Sequence, residues 1–273
     1  MVYKTIVVSD LHLGIKSSKA KEVVHFLKNN PCEKLILNGD IIDGWQLKRS
    51  GQWKKKHTRF FKLIMKIVSK RNTEVIYLRG NHDDFLDELI PFKFGTLSLA
   101  HQHIHESNGR RYFVIHGDIF DSITTNLKWL AKLGDIGYTF LLWLNRHYNT
   151  YRAKRGLPYY SLSQVIKNKV KSAVSFIDSY ETQLVEVAKS KRCDGIICGH
   201  IHQAADKMIN GVHYLNSGDW VESMTALVED QQGVWKVILY QDWLKELNYN
   251  ELNAKPFTAQ VNPINPVLQT SSL

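Results

Sequence analysis

TIVVSDLH, residues 5–12, is an unbroken apolar run that ends in Ser9, Asp10 and, one residue further, His12. A strand with one wet face alternates polar and apolar residues, whereas a run without alternation belongs to a strand covered on both faces, as in a parallel sheet. The same grammar returns in LILNGD (35–40), VIYLRGNHDD (75–84), YFVIHGD (112–118) and IICGHIH (196–202). Between the first three runs lie helical patterns. SKAKEVVHFLKNN (18–30) is stopped by Pro31, and TRFFKLIMKIVSK (58–70) places Phe60, Phe61, Ile64, Ile67 and Val68 at helical spacing. The βαβαβ order predicts parallel strands and an α/β fold.

Beyond residue 95 the pattern shortens to TLSLAHQHIHES (96–107), GRRYFVIHGD (109–118), GVHYLNSG (211–218), SMTALVED (223–230) and GVWKVILYQD (233–242). These segments predict a second, more antiparallel sheet. A largely helical stretch at about 122–192, broken by RGLPYY (155–160), interrupts the strands and reads as a cap insertion. Residues 1–250 are then one domain with that insertion, and the polar, proline-bearing 251–273 a C-terminal tail.

With 273 residues, 44% hydrophobic and 23% charged, the chain has the composition of an ordinary globular protein. Three cysteines (Cys32, Cys193, Cys198) are too few for a disulfide framework and suit a reducing cytoplasm. The N-terminus lacks the regions of a secretory signal, and no apolar stretch reaches the ~20 residues of a membrane span. The net charge of +10 is uneven: residues 45–71 carry ten Lys/Arg and no acid, and residues 122–192 carry twelve against four. Such runs are either solvated helix faces or a positive rim that attracts an anionic substrate or surface.

The ends of the apolar runs deliver Asp10 and His12, Asp40, Asn81, His82 and Asp83, His116, and His200 and His202. Ligands of open α/β sheets collect at the carboxyl ends of strands. Each residue alone has a plainer reading, as helix cap, turn residue or core histidine. Jointly they spell Asp-x-His, Gly-Asp, Gly-Asn-His-Asp, His-Gly-Asp and Gly-His-x-His in order.

Over about residues 5–220 this ordered set resembles the signature of the calcineurin-like metallophosphoesterases. The resemblance implies a four-layer α/β/β/α sandwich and two divalent cations. One is held by Asp10, His12, Asp40 and His202, the other by Asp40, Asn81, His116 and His200, with Asp40 bridging. It implies that His82 faces the substrate, to stabilise charge or protonate the leaving group, with Asp83 orienting it and Arg79 assisting or forming a structural ion pair. Carboxylate and imidazole ligands without thiolate suit Mn first, then Fe or Zn. Paired cations clamp a phosphoryl group and ready a water as hydroxide, so no serine or cysteine nucleophile is required. His101, His103 and His105, at period two in HQHIHE, have no counterpart in the signature and read as a strand face; no phosphate loop of the Walker type is present.

The insertion alternates aromatic and cationic residues, among them Trp129, Phe140, Trp143, Tyr148 and Arg152. It reads either as a structural cap or as a lid with an apolar groove for acyl chains and a cationic edge for phosphates. Together with GDIIDGW (39–45) and SGDWVES (217–223), it resembles the UDP-2,3-diacylglucosamine pyrophosphatase branch of the superfamily, which serves lipid A synthesis at the cytoplasmic membrane face. That branch commonly carries arginine where this chain has His82. The resemblance implies a phosphorylated, lipid-linked or nucleotide-sugar substrate and peripheral contact with an anionic membrane. A phosphodiesterase or nuclease on the same core is the alternative, although no nucleic-acid module is recognised and no specific nucleic-acid partner is expected. A scaffold without chemistry would have lost ligands, and none is lost.

Overall fold

From Thr5 to Val8 every residue of β1 (Tyr3–Val8) is buried, as a central strand covered on both sides requires. The computed structural model describes residues 2–49, 51–70, 72–120, 150–152, 154–156 and 177–254. In it β1 pairs in parallel with β2 (Cys32–Asn38), and β2 with β3 (Glu74–Leu78), in the register Val7–Ile36–Ile76. The crossovers are α1 (Ala20–Asn29), a short α2 (Gly44–Arg49) and α3 (Lys55–Lys70). In α1 Ala20, Val23, Val24 and Leu27 are buried, and in α3 Phe60, Leu63, Ile64 and Ile67, the i, i+3, i+4, i+7 stripe of a helix laid on a sheet. Asn30 closes α1, its backbone N–H and its side-chain amide both donating to the Phe26 carbonyl (3.0 and 2.8 Å) before Pro31. Lys55, Arg59, Lys62, Lys66 and Lys70 lie exposed on the outer face of α3, so half of the basic run at 45–71 lies on one exposed helix face.

The first sheet is completed by β4 (Phe92–Phe94), β5 (Leu97–Ala100), β11 (Thr225–Glu229) and β12 (Trp235–Leu239). A second comprises β6 (Gln102–Ser107), β7 (Arg110–Ile115), β8 (Gly195–Cys198), β9 (Ala205–Ile209) and β10 (Val212–Asn216). Among the described residues the strand order is β12-β11-β1-β2-β3-β5-β4 in the first and β6-β7-β8-β10-β9 in the second. This corrects the assignment of every late strand to a second sheet. β5 joins β3 in parallel, and β11 lies antiparallel on β1, supplying the partner that β1 needs on the side away from β2. TLSLAHQHIHES is divided between the sheets, because Ala100 ends one strand and Gln102 opens the next.

Alternation along the strands builds four layers. Val7, Ile36, Ile76 and Leu78 meet Tyr112, Val114, Ile197 and Leu215 between the sheets. The opposite face of the second sheet, with Phe113, Ile115, Ile196, Cys198 and Tyr214, is covered by Tyr180, Leu184, Val185 and Ala188 of the helix at 177–190. The described end of the predicted insertion is thus a core layer. Contacts divide the chain into Met1–Tyr240 and Gln241–Leu273, the described part of the latter being helical. Among the described residues no helix is long and apolar enough to cross a membrane.

HQHIHE straddles the division between the sheets. His101 is exposed, 3.6 Å from Asp87; His103 is half-buried on β6; His105 is buried, its Nε2 2.9 Å from Glu229 Oε2 on the first sheet. His105 therefore joins the two sheets, and the three histidines do not converge on one another.

Gly195 faces Tyr112 across the β7–β8 ladder, where an added Cβ would lie 2.4 Å from Tyr112 Cδ1 and 2.9 Å from the His213 carbonyl. Neither a packed ring nor a ladder carbonyl yields readily. Gly195→Ala is expected to cost about 1–3 kcal/mol in urea unfolding; an unchanged midpoint and slope would show that the ring gives way freely. Burial first, then Lys34 and His105, pushes the His103 imidazole down to about 4 from its ordinary 6.5. Its folded value lies below its unfolded one, so its contribution is full above pH 6.5, declines as pH falls, and is gone below pH 4. His103→Gln should flatten the loss of stability across that window by about 1–2 kcal/mol, allowing for solvent screening. Parallel pH profiles of mutant and native chain would refute this.

Candidate metal centre

Five parallel strands end side by side, two sheets contributing to one place. β1 releases Asp10 and His12, β2 Asp40, β3 Asn81 and His82, β7 His116, and β8 His200 and His202. Asp10 (φ 54°), His12 (45°), Asp40 (53°), His200 (69°) and His202 (55°) all adopt the left-handed region. For residues with a Cβ this conformation costs about 1–2 kcal/mol each. Five together approach the ~5–15 kcal/mol net stability of a domain, so the surrounding fold must hold them there. A left-handed residue also turns the chain sharply after the strand. That is how His200 and His202, two apart and on opposite faces of a continued strand, both enter the cluster.

Each carboxylate divides its oxygens between the backbone and the cluster. Asp40 Oδ1 accepts from the His82 backbone N–H (2.8 Å), while Oδ2 lies 3.4 Å from His116 Nε2 and 3.8 Å from His12 Nε2. Asp10 Oδ2 accepts from the His200 N–H (3.1 Å), and Oδ1 lies 3.2 Å from His202 Nε2. Ligand atoms of Asp10, His12 and His202 lie within 4.8 Å of one another, as do those of Asp40, His116 and His200.

The imidazoles are held by their remote nitrogens. His116 Nδ1 is 2.8 Å from the Asn38 carbonyl, an acceptor only, so Nδ1 carries a proton and Nε2 is the nitrogen turned to Asp40, free to take either a proton or a metal ion. His12 Nδ1 is 3.2 Å from Asp43 Oδ2, which fixes the same tautomer. A carboxylate or carbonyl behind the ring is the usual support of a metal-ligating histidine.

The electrostatics call for positive charge. Burial alone would raise the Asp40 carboxyl, but His116, His12 and His82 hold it well below the usual carboxylate range. Burial is likewise outweighed at Asp10, held low by His202 and His116. In return His116 is raised well above its ordinary value, and His202 to about 9, by the facing carboxylates despite burial. Among the described residues Asp10 Oδ1, His12 Nε2, Asn81 Oδ1 and His116 Nε2 are buried without a well-formed hydrogen bond. Buried polar atoms are ordinarily satisfied, and these are acceptors of the types that hard and borderline divalent cations use. The donor set fits two such cations.

Asp83 and Asp43 depart from expectation, and Arg79 takes the second of its two expected roles. Asp83 does not orient His82: its carboxylate accepts from the backbone N–H groups of Asp40 (3.4 Å), Ile41 (3.0 Å) and Gly80 and from Tyr77 Oη (2.8 Å). Buried, and beside the charge of Asp40, it is raised to about 6, and it ties the β2 and β3 loops together. Arg79 is taken up by Asp87 (Nε–Oδ1 2.8 Å) and by Asp118, the structural ion pair. The carboxylate against His82 belongs to Asp43, absent from the expected site: Oδ1 lies 3.2 Å from His82 Nδ1, while Oδ2 serves His12. Its signal was the second aspartate of GDIIDGW. His82 stands edge-on to His12, ring centroids 4.7 Å apart, and its side chain is 24% exposed. It therefore reaches the mouth of the cluster. Trp129, Phe140, Trp143 and Tyr148 lie outside the described residues; Arg152 is helical, its carbonyl accepting from the Arg155 N–H (3.0 Å).

The profile of calcineurin-like phosphoesterases matches residues 3–204, and no curated protein matches the chain. Similar solved structures include a hypothetical protein of Pyrococcus horikoshii OT3 (14% identity, 91% of this chain and 94% of the other covered, TM-score 0.46). The phosphoesterase Yfce of E. coli follows (15%, 87% and 93%, TM-score 0.45), as does an archaeal phosphodiesterase (13%, 86% and 98%, TM-score 0.40). With about three quarters of its length matched, the chain belongs to the calcineurin-like phosphoesterase family and is a metal-binding phosphoester hydrolase.

Proposed function

We propose that the chain hydrolyses the pyrophosphate of a nucleotide-linked, acylated substrate, of which UDP-2,3-diacylglucosamine is the type, releasing UMP. One cation is assigned to Asp10, His12, Asp40 and His202, and the other to Asp40, Asn81, His116 and His200, with Mn as the metal and Fe or Zn as alternatives. The observation that carries the chemistry is Asp40 Oδ2, placed between His12 Nε2 and His116 Nε2 at 3.8 and 3.4 Å. When bound, the two ions polarise the phosphoryl oxygens and lower the pKa of a coordinated water.

The remaining steps belong to the chain's own residues. His82 stands at the mouth, where it stabilises charge on the phosphoryl group or passes a proton to the departing oxygen. Asp43 fixes the orientation of that ring and of His12 at once. Both motifs that resemble the pyrophosphatase branch lie at the centre. GDIIDGW supplies Asp40 and Asp43. SGDWVES folds on the Asp219 carboxylate, which accepts from the Val221 and Glu222 N–H groups at 2.8 and 2.6 Å, and the Trp220 N–H donates to the Asp10 carbonyl at 3.1 Å. The aromatic and cationic insertion is the proposed acyl-binding lid, with Trp129, Phe140, Trp143, Tyr148 and Arg152 on it and peripheral contact with an anionic membrane as its consequence.

A nucleotide phosphodiesterase or nuclease is the second reading, favoured by the exposed Lys55, Arg59, Lys62, Lys66 and Lys70 of α3 and by Trp45 and Trp53, each 44% exposed. Binding to single-stranded oligonucleotide that falls steeply with salt would support it.

The direct test is release of UMP from UDP-2,3-diacylglucosamine by the Mn-loaded chain. Asp40→Asn and His116→Ala should each lower turnover by at least about 100-fold and reduce bound metal, with circular dichroism unchanged. Near-native turnover of either variant at limiting metal would sink the ligand assignment. Full metal loading without UMP release would sink the substrate and leave the centre standing.

A further inference from the structure

The basic run at 45–71 has no task in the chemistry of the centre. We infer that the outer face of α3 is an electrostatic docking surface for an anionic phospholipid bilayer, with Lys55, Arg59, Lys62, Lys66 and Lys70 as its contacts to the headgroups. This surface is separate from the proposed lid and does not depend on which phosphoester the centre cleaves.

Helix geometry sets the five cations in one row. Their spacings of four, three, four and four residues keep them within an arc of about 80° and along about 22 Å of helix axis. All five are exposed, while Phe60, Leu63, Ile64 and Ile67 take the buried side. Among the described residues none of the five forms an ion pair or a side-chain hydrogen bond, and no Asp or Glu occurs from Gly44 to Thr73. Lys56 shows the contrast, since its ammonium donates to the Lys16 and Ser18 carbonyls. The row also begins near the centre. Asp43, which braces His12 and His82, is followed by α2, and α2 ends in the exposed Lys48 and Arg49.

Such a row is unfavourable for the helix by itself. Like charges at i, i+3 and i, i+4 repel, and four such neighbours follow one another here. Cations in the first turn also oppose the helix dipole, and α3 has no acid there. A face that only had to stay wet would intersperse the two signs. An opposing anionic plane turns the repulsion into attraction, about 5-fold in affinity for each Lys or Arg near the surface.

A bilayer fits this face better than a nucleic-acid strand does. One straight helix presents a line of charge to a plane, whereas a strand is tracked by a groove with aromatic platforms for its bases. Trp53, at the head of α3, is built into the helix's own packing: it stacks on Phe61 (centroids 5.9 Å apart, 29°) and donates from Nε1 to Thr58 Oγ1 (2.9 Å). Four of the five cations are lysines, point charges on long stems rather than forks that grip one phosphate in two places. Met65, within one turn of Lys62 and Lys66, and Trp53 are each 44% exposed. An apolar side chain and an indole beside cations are what the headgroup level accepts.

The test is sedimentation of the full chain with vesicles of phosphatidylcholine alone and of phosphatidylcholine mixed with phosphatidylglycerol. The native chain should bind the mixed vesicles at least about 100-fold more tightly, and added salt should shrink that margin. Lys62→Gln/Lys66→Gln/Lys70→Gln, with circular dichroism unchanged, should lose at least about 10-fold of the margin. Lys62→Arg/Lys66→Arg/Lys70→Arg should keep it. The docking surface is overturned if the native chain has no preference for the mixed vesicles. It is overturned equally if the glutamine variant retains the full margin, which would assign the contact to the lid. Tighter binding of a single-stranded oligonucleotide than of the mixed vesicles, through the same lysines, would also overturn it, in favour of the phosphodiesterase reading.

Discussion

One carboxylate joins the two halves of this molecule. Asp40 leaves the first sheet, and its Oδ2 lies between His12 of the same sheet and His116 of the second. Three like-minded groups do not share a buried space without cost: an unpaired buried charge is among the most expensive things a fold can hold. Here the imidazoles answer the carboxylates, and the backbone amide of His82 occupies the remaining oxygen of Asp40. The arrangement is stable only while positive charge sits within it, as protons on the imidazoles or as divalent ions. Two cations satisfy the same acceptors with the imidazoles neutral, each lone pair donated to a metal ion in place of a proton. The centre is therefore a demand made by the fold, rather than a pocket to which ligands were added.

That demand explains the backbone. Left-handed Asp10, His12, Asp40, His200 and His202 are unfavourable one by one, and each follows a strand whose other end is locked in a two-sided sheet. The sheets pass the restraint to the loops through a short list of bonds. The Asp10 N–H donates to Gly39 (3.1 Å), His12 N–H to Asp40 (2.9 Å), and Gly199 N–H to His116 (3.0 Å), so each ligand loop is tied to a neighbouring one. Asp83 adds the tie between the β2 and β3 loops by gathering three backbone N–H groups on one carboxylate. Rigid ligand placement thus derives from burial at Ile6, Val7, Ile36 and Ile76, all at or below 2% exposed.

The order of ligands at strand ends was legible because parallel strands write it plainly: apolar run, then glycine or serine, then aspartate, asparagine or histidine. Sheet membership was less legible. β11 and β10 are buried almost throughout, and β12 and β6 only in part, so each sheet holds one strand of either kind and the burial pattern does not say which sheet a strand joins. The partner of His82 was misread for a related reason. Asp83 is adjacent in sequence, but a residue that must collect backbone donors at Gly80 and Ile41 has no oxygen left to turn outward, whereas Asp43, three residues after Asp40 and just before α2, faces back toward His12 and His82. Arg79 was readable either way, and Asp87 and Asp118 decide it, since neither acid is fixed by local sequence pattern.

The histidine at position 82 is where specificity and fold meet. An arginine there would present a fork of donors to phosphate and carry its charge at any pH. It would also extend past the position where the imidazole lies 3.2 Å from Asp43 and 4.4 Å, centroid to centroid, beneath Trp45. A ring is the side chain that accepts a carboxylate at one nitrogen and an indole against its face at the same time. The chain therefore exchanges a fixed cationic grip for a column of Asp43, His82 and Trp45 that runs from the buried ligand His12 to solvent.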